Sequence, residues 1–349
     1  MGKAGIKYNQ FMPAVSVLMP CFNASGTLPV ALESLSRQTF TDFQVIVVND
    51  GSTDGTRELL ENWVAGDKRY QLVNQAHQGI VAALNSGLGY CHAGYIARMD
   101  ADDRAHPERL ARQVEFLDQN PGTALVASRV KGYPQEELRE GFTIYLEWQN
   151  ALLKDEDIRR EIFVESPLAH PSVMMRRAEL ENVGGYQDHG WPEDYDLWLR
   201  FYLAGKHFAK LPQVLLDWRE HPERLTRQDS RYSLENFLRI KAHYLVRGPL
   251  KGRDALLIWG AGMIGRRLSK HLVRQEAPLT AFIDIDPDKI GRTRRGLPIL
   301  SPGDLQGWWR KSSNPVVLAA VGARGARKLI RQHLTESGLQ EGRDWWGVA

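Results

Sequence analysis

Cysteine is nearly absent from this chain. With Cys21 and Cys91 alone, no disulfide framework can hold the fold, and a reducing compartment is expected. Long apolar runs are missing too: none approaches the roughly 18 residues that a membrane-spanning helix needs. Lys3 and Lys7 are not followed by an apolar core, so no secretory signal is expected. The location implied is the cytoplasm, with peripheral contact at a membrane left open. Strong net charge is also lacking, at +3 overall, but its distribution is uneven. Residues 250–349 hold 17 Lys+Arg against 9 Asp+Glu, whereas 1–249 hold 28 against 33. Such asymmetry fits an anionic partner for the basic part, or an ordinary Arg-rich surface.

What is present suffices for two globular cores: 349 residues, 43% of them hydrophobic, exceed what one core commonly needs. Apolar runs at Val15–Met19, Phe43–Val48, Tyr70–Val73 and Tyr95–Met99 read as buried strands. Helical spacing follows the first three, at Leu28/Leu32/Leu35, Arg57–Val64 and Ile80–Leu88. Strand and helix in alternation predict an α/β fold with a parallel sheet covered on both faces. In such sheets ligands bind beyond the carboxyl ends of the strands. Three polar clusters fall there: Pro20 to Asn23, Asn49 to Asp54, and Asp100-Ala101-Asp102-Asp103. The last is the most demanding chemically. Three carboxylates within four residues repel one another and lose hydration if buried, so they call for a cation. A hard Mg²⁺ or Mn²⁺ held by carboxylates and substrate phosphates answers that demand, and a solvated acidic loop is the plain alternative.

Taken in order, Pro20-Cys21-Phe22-Asn23, Gln38-Thr39-Phe40, Asn49 to Thr56, Asn85 and Asp100 to Asp103 before Pro107 and Arg109 resemble the nucleotide-sugar half of a family 2 glycosyltransferase with the GT-A fold. The resemblance implies donor contacts at Pro20, Phe22, Asn23, Asp50, Ser52 and Asp100. It also implies a metal at Asp100 and Asp102, with His221 a further candidate ligand. Trp191-Pro192-Glu193-Asp194 opens a predicted helix, where the two acids could simply cap it. Their order after Asp100 resembles the family's Glu-Asp motif, which implies Asp194 as the catalytic base and Glu193 as its support. His170 either lines the acceptor pocket or belongs to a Pro-rich turn. The expected division is a glycosyltransferase domain at 1–249, with its donor half at about 14–128 and its acceptor half at about 129–249, followed by a smaller Rossmann-like domain at 250–349.

In that second domain Ala255–Trp259 reads as a strand, Gly260-Ala261-Gly262-Met263-Ile264-Gly265 as a glycine turn, and Ala281–Ile283 as a strand ending at Asp284. Strand before, helix after and acid at the next strand's end form a dinucleotide fingerprint. Gly260, Gly262, Gly265 and Asp284 are thus candidates for a second nucleotide, NAD or another, although the remaining length holds no catalytic domain for hydride transfer. The two-domain order, through Gly342-Arg343-Asp344, is similar to the β-1,3-N-acetylglucosaminyltransferase-like family of animals, which galactosylates queuosine in transfer RNA. Basic clusters at Arg266/Arg267/Lys270/Arg274, Arg292/Arg294/Arg295 and Arg324/Arg327/Lys328/Arg331 could follow an RNA backbone.

The leading expectation is a metal-dependent inverting transferase that moves a sugar from a nucleotide sugar, UDP-linked, to a saccharide, lipid-linked or nucleoside acceptor. The alternatives are a queuosine-tRNA glycosyltransferase, an NAD-dependent sugar oxidoreductase and a non-catalytic sugar-nucleotide-binding protein.

Overall fold

Eight strands form the first sheet, with the order β3-β2-β1-β4-β7-β6-β8-β5. They are β1 (Val15–Cys21), β2 (Phe43–Asp50), β3 (Tyr70–Gln75), β4 (Tyr95–Arg98), β5 (Arg104–Ala105), β6 (Thr123–Tyr133), β7 (Met174–Arg176) and β8 (His207–Arg219). The computed structural model describes residues 12–349, so Lys3 and Lys7 lie outside the described residues.

β1 through β4 pair in parallel, as the strand–helix alternation predicts. Every residue of β1 is buried, which explains its unbroken apolar run. Leu28, Leu32 and Leu35 lie on the buried face of the helix Leu28–Ser36. Each such side chain contributes about 1.5–3 kcal/mol when fully withdrawn from water. The sheet is not parallel throughout, however. β7 runs antiparallel to both β4 and β6, and β5 antiparallel to β8. The βαβ rhythm therefore stops after Arg98: β7, the antiparallel neighbour of β4, follows only after β5, β6 and the helices between them.

The second sheet has the order β11-β12-β10-β9-β13-β14. Its strands are β9 (Ala255–Trp259), β10 (Leu279–Ile283), β11 (Thr293–Arg294), β12 (Leu297–Leu300), β13 (Pro315–Ala319) and β14 (Trp345–Gly347). All pairs are parallel except β11 with β12.

Two compact units result. One comprises residues 12–151 with Leu168–Tyr186 and Ala209–Glu220; the other comprises Leu152–Pro167, Gln187–Phe208 and His221–Ala349. Two buried polar groups knit the second unit together. Lys241 Nζ donates to the carbonyls of Val164 (2.6 Å) and Val348 (3.2 Å). Glu161 accepts from Arg327 at 2.8 Å and from Arg331 at 2.7 Å. Among the described residues no helix is long and apolar enough to cross a membrane.

Candidate active site

β1, β2 and β4 end side by side in the first unit, and their polar loops are tied to one another. Asn23 adopts φ 48°, a left-handed conformation that costs most residues energy but suits Asn. Its amide donates to Ser52 Oγ at 2.9 Å, and its side-chain oxygen accepts from the Thr53 amide at 2.8 Å. The Ala24 amide donates to Thr56 Oγ1 and the Ser25 amide to Asp54. Thr27 Oγ1 reaches the carbonyl of Ala101 at 3.1 Å, which joins this pair of loops to the acidic one. Asn23 and Ser52 therefore shape the loops.

Asp50 sits in the tightest cradle. Its carboxylate accepts from the amides of Gln78 (2.9 Å) and Gly79 (2.8 Å) and from Gln75 Nε2 (2.6 Å). His77 Nδ1 lies 2.9 Å from it. The His77 ring stacks on Phe22, with centroids 4.0 Å apart, and Phe22 is left 45% exposed at the tip of its loop. An exposed aromatic braced by a second ring offers a face on which a base can stack. Gly51, at φ +72°, must be glycine: a Cβ there would stand 2.6 Å from the His77 backbone nitrogen. His77, Gln75 and the Gln78 and Gly79 amides escaped the sequence reading. The run His77-Gln78-Gly79 directly after β3 was the available signal.

Asp100, Asp102 and Asp103 carry oxygens within 4.8 Å of one another. Behind them the guanidinium of Arg98 meets Asp100, and Asp103 is buried with Oδ1 accepting from the Arg219 amide at 2.8 Å. Tyr133 donates its hydroxyl to the Asp102 carbonyl. Arg109 is wholly buried and donates to the Arg98 carbonyl at 2.6 Å. Burial pulls its pKa down to about 10, with Asp103 and Asp100 opposing, so it stays cationic at neutral pH. Arg98 and Arg109 thus offset part of the repulsion among the acids. An all-oxygen donor set with half-buried Asp100 and Asp102 suits a hard divalent cation. Gln38 completes the loop's support, donating to the His106 carbonyl and accepting from the Leu110 amide.

Cys21 lies among these loops. Burial pushes its thiol up to about 12, and the charges of Asp54 and Asp102 add to the rise. Burial also raises Asp54, yet hydrogen bonds from Thr56 and Ser25 outweigh it and hold that carboxyl at about 2. Burial likewise takes Cys91 to about 12. A thiolate fraction of about 10⁻⁴ at pH 8 makes both thiols unreactive. Iodoacetamide at pH 8 is expected to leave the native chain unmodified by intact mass, and to add two groups after denaturation.

Glu193 and Asp194 open the helix Glu193–Leu203 of the second unit, as their position before the apolar stripe predicts. Glu193 is buried and accepts from Tyr232 Oη at 2.8 Å. Burial, and then the charges of Glu193 and Asp194, raise the Tyr232 pKa well above its usual value, so that hydroxyl stays a donor. Asp194 Oδ1 accepts from the Tyr195 amide at 2.7 Å. His221, in the same unit, lies 3.3 Å from Glu223. His170 belongs to the first unit, buried in a short 3-10 turn with Nε2 2.8 Å from Tyr186 Oη. Burial, aided by the Arg98 charge, lowers its pKa well below the usual value. Asn85 holds the same Tyr186 through both its backbone groups.

The basic clusters are less available than the sequence implies. Arg327 and Arg331 spend charge on Glu161, Arg331 also on Glu341, and Lys270 pairs with Glu235 at 2.6 Å. Arg295 donates to Ser269 and to the Arg266 carbonyl.

Comparison with known proteins agrees with this geometry. Residues 16–184 match the family described as Glycosyl transferase family 2. The amylovoran biosynthesis glycosyltransferase AmsE of Erwinia amylovora is 30% identical over 204 residues, 58% of this chain and 74% of that protein. The UDP-Gal:alpha-D-GlcNAc-diphosphoundecaprenol beta-1,3-galactosyltransferase of Escherichia coli is 29% identical over 240 residues, 66% of this chain and 82% of that protein. Among solved structures, S. aureus TarS 1-349 in complex with UDP-GlcNAc aligns with a TM-score of 0.55 at 19% identity, covering 75% of this chain and 72% of that one. The chain spans 40% of the longer TarS structure. At that identity the likeness speaks for the fold alone, an α/β GT-A fold with a second, smaller α/β sheet. With the family match over β1 to β7 and the relative in Erwinia amylovora, the conclusion is direct: the chain belongs to glycosyl transferase family 2, and is an enzyme of that inverting family.

Proposed function

We propose that this enzyme moves a sugar from a UDP-linked donor to a hydroxyl of a saccharide or lipid-linked acceptor, in polysaccharide or glycoconjugate synthesis. The observation that carries the donor reading is the Asp50 cradle. A carboxylate fixed by two amides and Gln75, beside the Phe22–His77 ring pair, can accept from the imide N–H of uracil while the base stacks. Asp100 would orient the ribose and, with Asp102, hold a divalent cation. Bound there, that cation would stabilise the charge that develops on the departing diphosphate. His221 is the candidate for a further contact to metal or phosphate. Asp194 would take the proton of the incoming hydroxyl, with Glu193 fixed by Tyr232 as its support. Attack opposite the leaving group through an oxocarbenium-like transition state inverts the anomeric carbon, and needs no nucleophilic carboxylate.

For the acceptor, the names of two relatives, one in amylovoran biosynthesis and one acting on a diphosphoundecaprenol-linked sugar, favour a saccharide or lipid-linked acceptor. A transfer-RNA acceptor has weaker support, because Arg327 and Arg331 of its intended contact surface are already engaged by Glu161.

The test is a calorimetric titration of UDP-GlcNAc, UDP-Gal and GDP-mannose with Mn²⁺. A UDP-sugar is expected to bind, and Asp102→Asn to weaken that binding at least about tenfold by removing a hard-cation ligand. Preference for GDP-mannose would defeat the uracil assignment. Unchanged UDP-sugar affinity in Asp102→Asn would defeat the metal assignment.

A further inference from the structure

The second unit contains a cavity of about 610 Å³ that the transfer reaction does not use. It lies beyond the carboxyl ends of β9, β10 and β13. From β9 the chain steps to β10 on one side and later to β13 on the other, so this crevice is the switch point of a parallel sheet, where ligands seat in such folds. Its volume is within the roughly 300–1,000 Å³ range of small-molecule sites.

The lining is apolar and unusually open to water. Met263, Ile285 and Leu329 border the cavity at 54%, 75% and 68% exposure. One wall is the helix Met263–Val273 and the other the helix Ala326–Glu336, giving a slot into which a flat ring could slide. The polar groups gather at its floor. Gly265 lets the first helix close onto β9, since a Cβ there would stand 1.8 Å from the Gly260 carbonyl oxygen. The first intrahelical bond at that end runs from the Arg266 amide to the Gly262 carbonyl, so the amides of the opening turn have no intrahelical acceptor. Asp284 accepts from the amides of Ala261 (2.9 Å) and Asp286 (3.0 Å). It therefore fixes the loop's shape and lies beside the place where a ribose would rest.

An apolar slot for a ring, a carboxylate next to it and oriented amides at its floor make one combination of demands on a ligand. We propose that this cavity is a second nucleotide site, which binds the nucleoside diphosphate portion of its ligand with the base between the two helices and the phosphates over Gly262–Ile264. A free nucleotide, a nucleotide sugar and a dinucleotide all carry that portion. The site binds without turnover.

Gly262 supplies the test, because a Cβ there meets nothing within 4 Å and a larger side chain projects into space the phosphates need. The full chain carrying Asp50→Asn, which disables the donor cradle, is titrated in EDTA with UDP, ADP and NAD separately. At least one is expected to bind one per chain, and the strongest identifies the source of the diphosphate. Adding Gly262→Leu is expected to weaken that binding at least about tenfold. Leu329→Glu, at an exposed position on the rim, is expected to weaken it in the same direction and decides the matter should Gly262→Leu fail to fold. No binding by any of the three up to about 1 mM overturns the proposal. So does binding that neither cavity variant alters.

Discussion

Asp194→Asn is expected to keep the UDP-sugar affinity of the parent enzyme while slowing transfer about 10²- to 10⁴-fold, the usual worth of a positioned general base. The first turn of the helix Glu193–Leu203 carries three acids, and their surroundings separate them. Asp196 is fully buried and accepts from Trp191 Nε1 (2.9 Å), Tyr244 Oη (2.6 Å) and Arg200 Nε (2.7 Å). That carboxylate is committed to holding the helix. Glu193 is buried against Tyr232. Asp194 alone of the three is half-buried, so it can meet a substrate hydroxyl without dismantling the packing. Asn keeps the shape and can still accept from the Tyr195 amide, but it cannot take a proton. Rates of UDP release and calorimetric donor affinity, measured on the same preparation, separate chemistry from binding. Transfer within about threefold of the parent would move the base elsewhere. Asp196→Asn is the useful contrast, since it should lower stability before it touches the chemistry.

The strand–helix units were legible because their determinants are local. Ile80–Leu88, Ala255–Trp259 and Leu297–Leu300 have the bounds that apolar spacing alone indicates. The antiparallel pairings of the first sheet were not legible. β7 places Met175 opposite both Ile96 and Leu125, pairings across some 50 to 80 positions for which no local period exists. The partnership of Leu152–Pro167 with the C-terminal sheet is hidden for the same reason: it rests on Lys241 and Glu161, charged residues that composition assigns to the surface. Buried charge is rare without partners, and only the fold shows that Val164, Val348, Arg327 and Arg331 supply them. In the site, the acidic loop was readable because clustered carboxylates at a strand end carry their own chemical demand, whereas the role expected of Asp50 came from the family resemblance alone. Arg98 lies in an apolar run and Gln75 at a strand's end, where neither declares that it will face an aspartate.

The glycine loop of the second unit allows a large effect and its control to be read three positions apart. Gly265→Ala is expected to destabilise the chain by about 3 kcal/mol or more, at or above the upper end of overpacking costs. The added methyl would stand 1.8 Å from the Gly260 carbonyl oxygen and 3.2 Å from Ile258 Cγ2. A backbone oxygen cannot rotate away as a side chain can, so the helix Met263–Val273 must lift off β9 or the strand end must move. Either shift disturbs Gly260, whose amide donates to the Ile283 carbonyl at 2.7 Å, and with it the pairing of β9 and β10. Gly262→Ala adds the same methyl in open space at φ −77° and is expected to stay within about 0.5 kcal/mol of the parent. Gly87 is intermediate: a Cβ there meets Leu18 Cδ1 at 2.3 Å and Val48 Cγ2 at 2.8 Å, side-chain atoms that can yield part of the way. Urea midpoints for the three alanine variants should fall in the order Gly262, Gly87, Gly265, with proteolysis of Gly265→Ala concentrated in residues 250–349. Equal midpoints for Gly262→Ala and Gly265→Ala would mean that the helix does not press on the strand as described, and the close-packed floor of the nucleotide cavity would have to be redrawn.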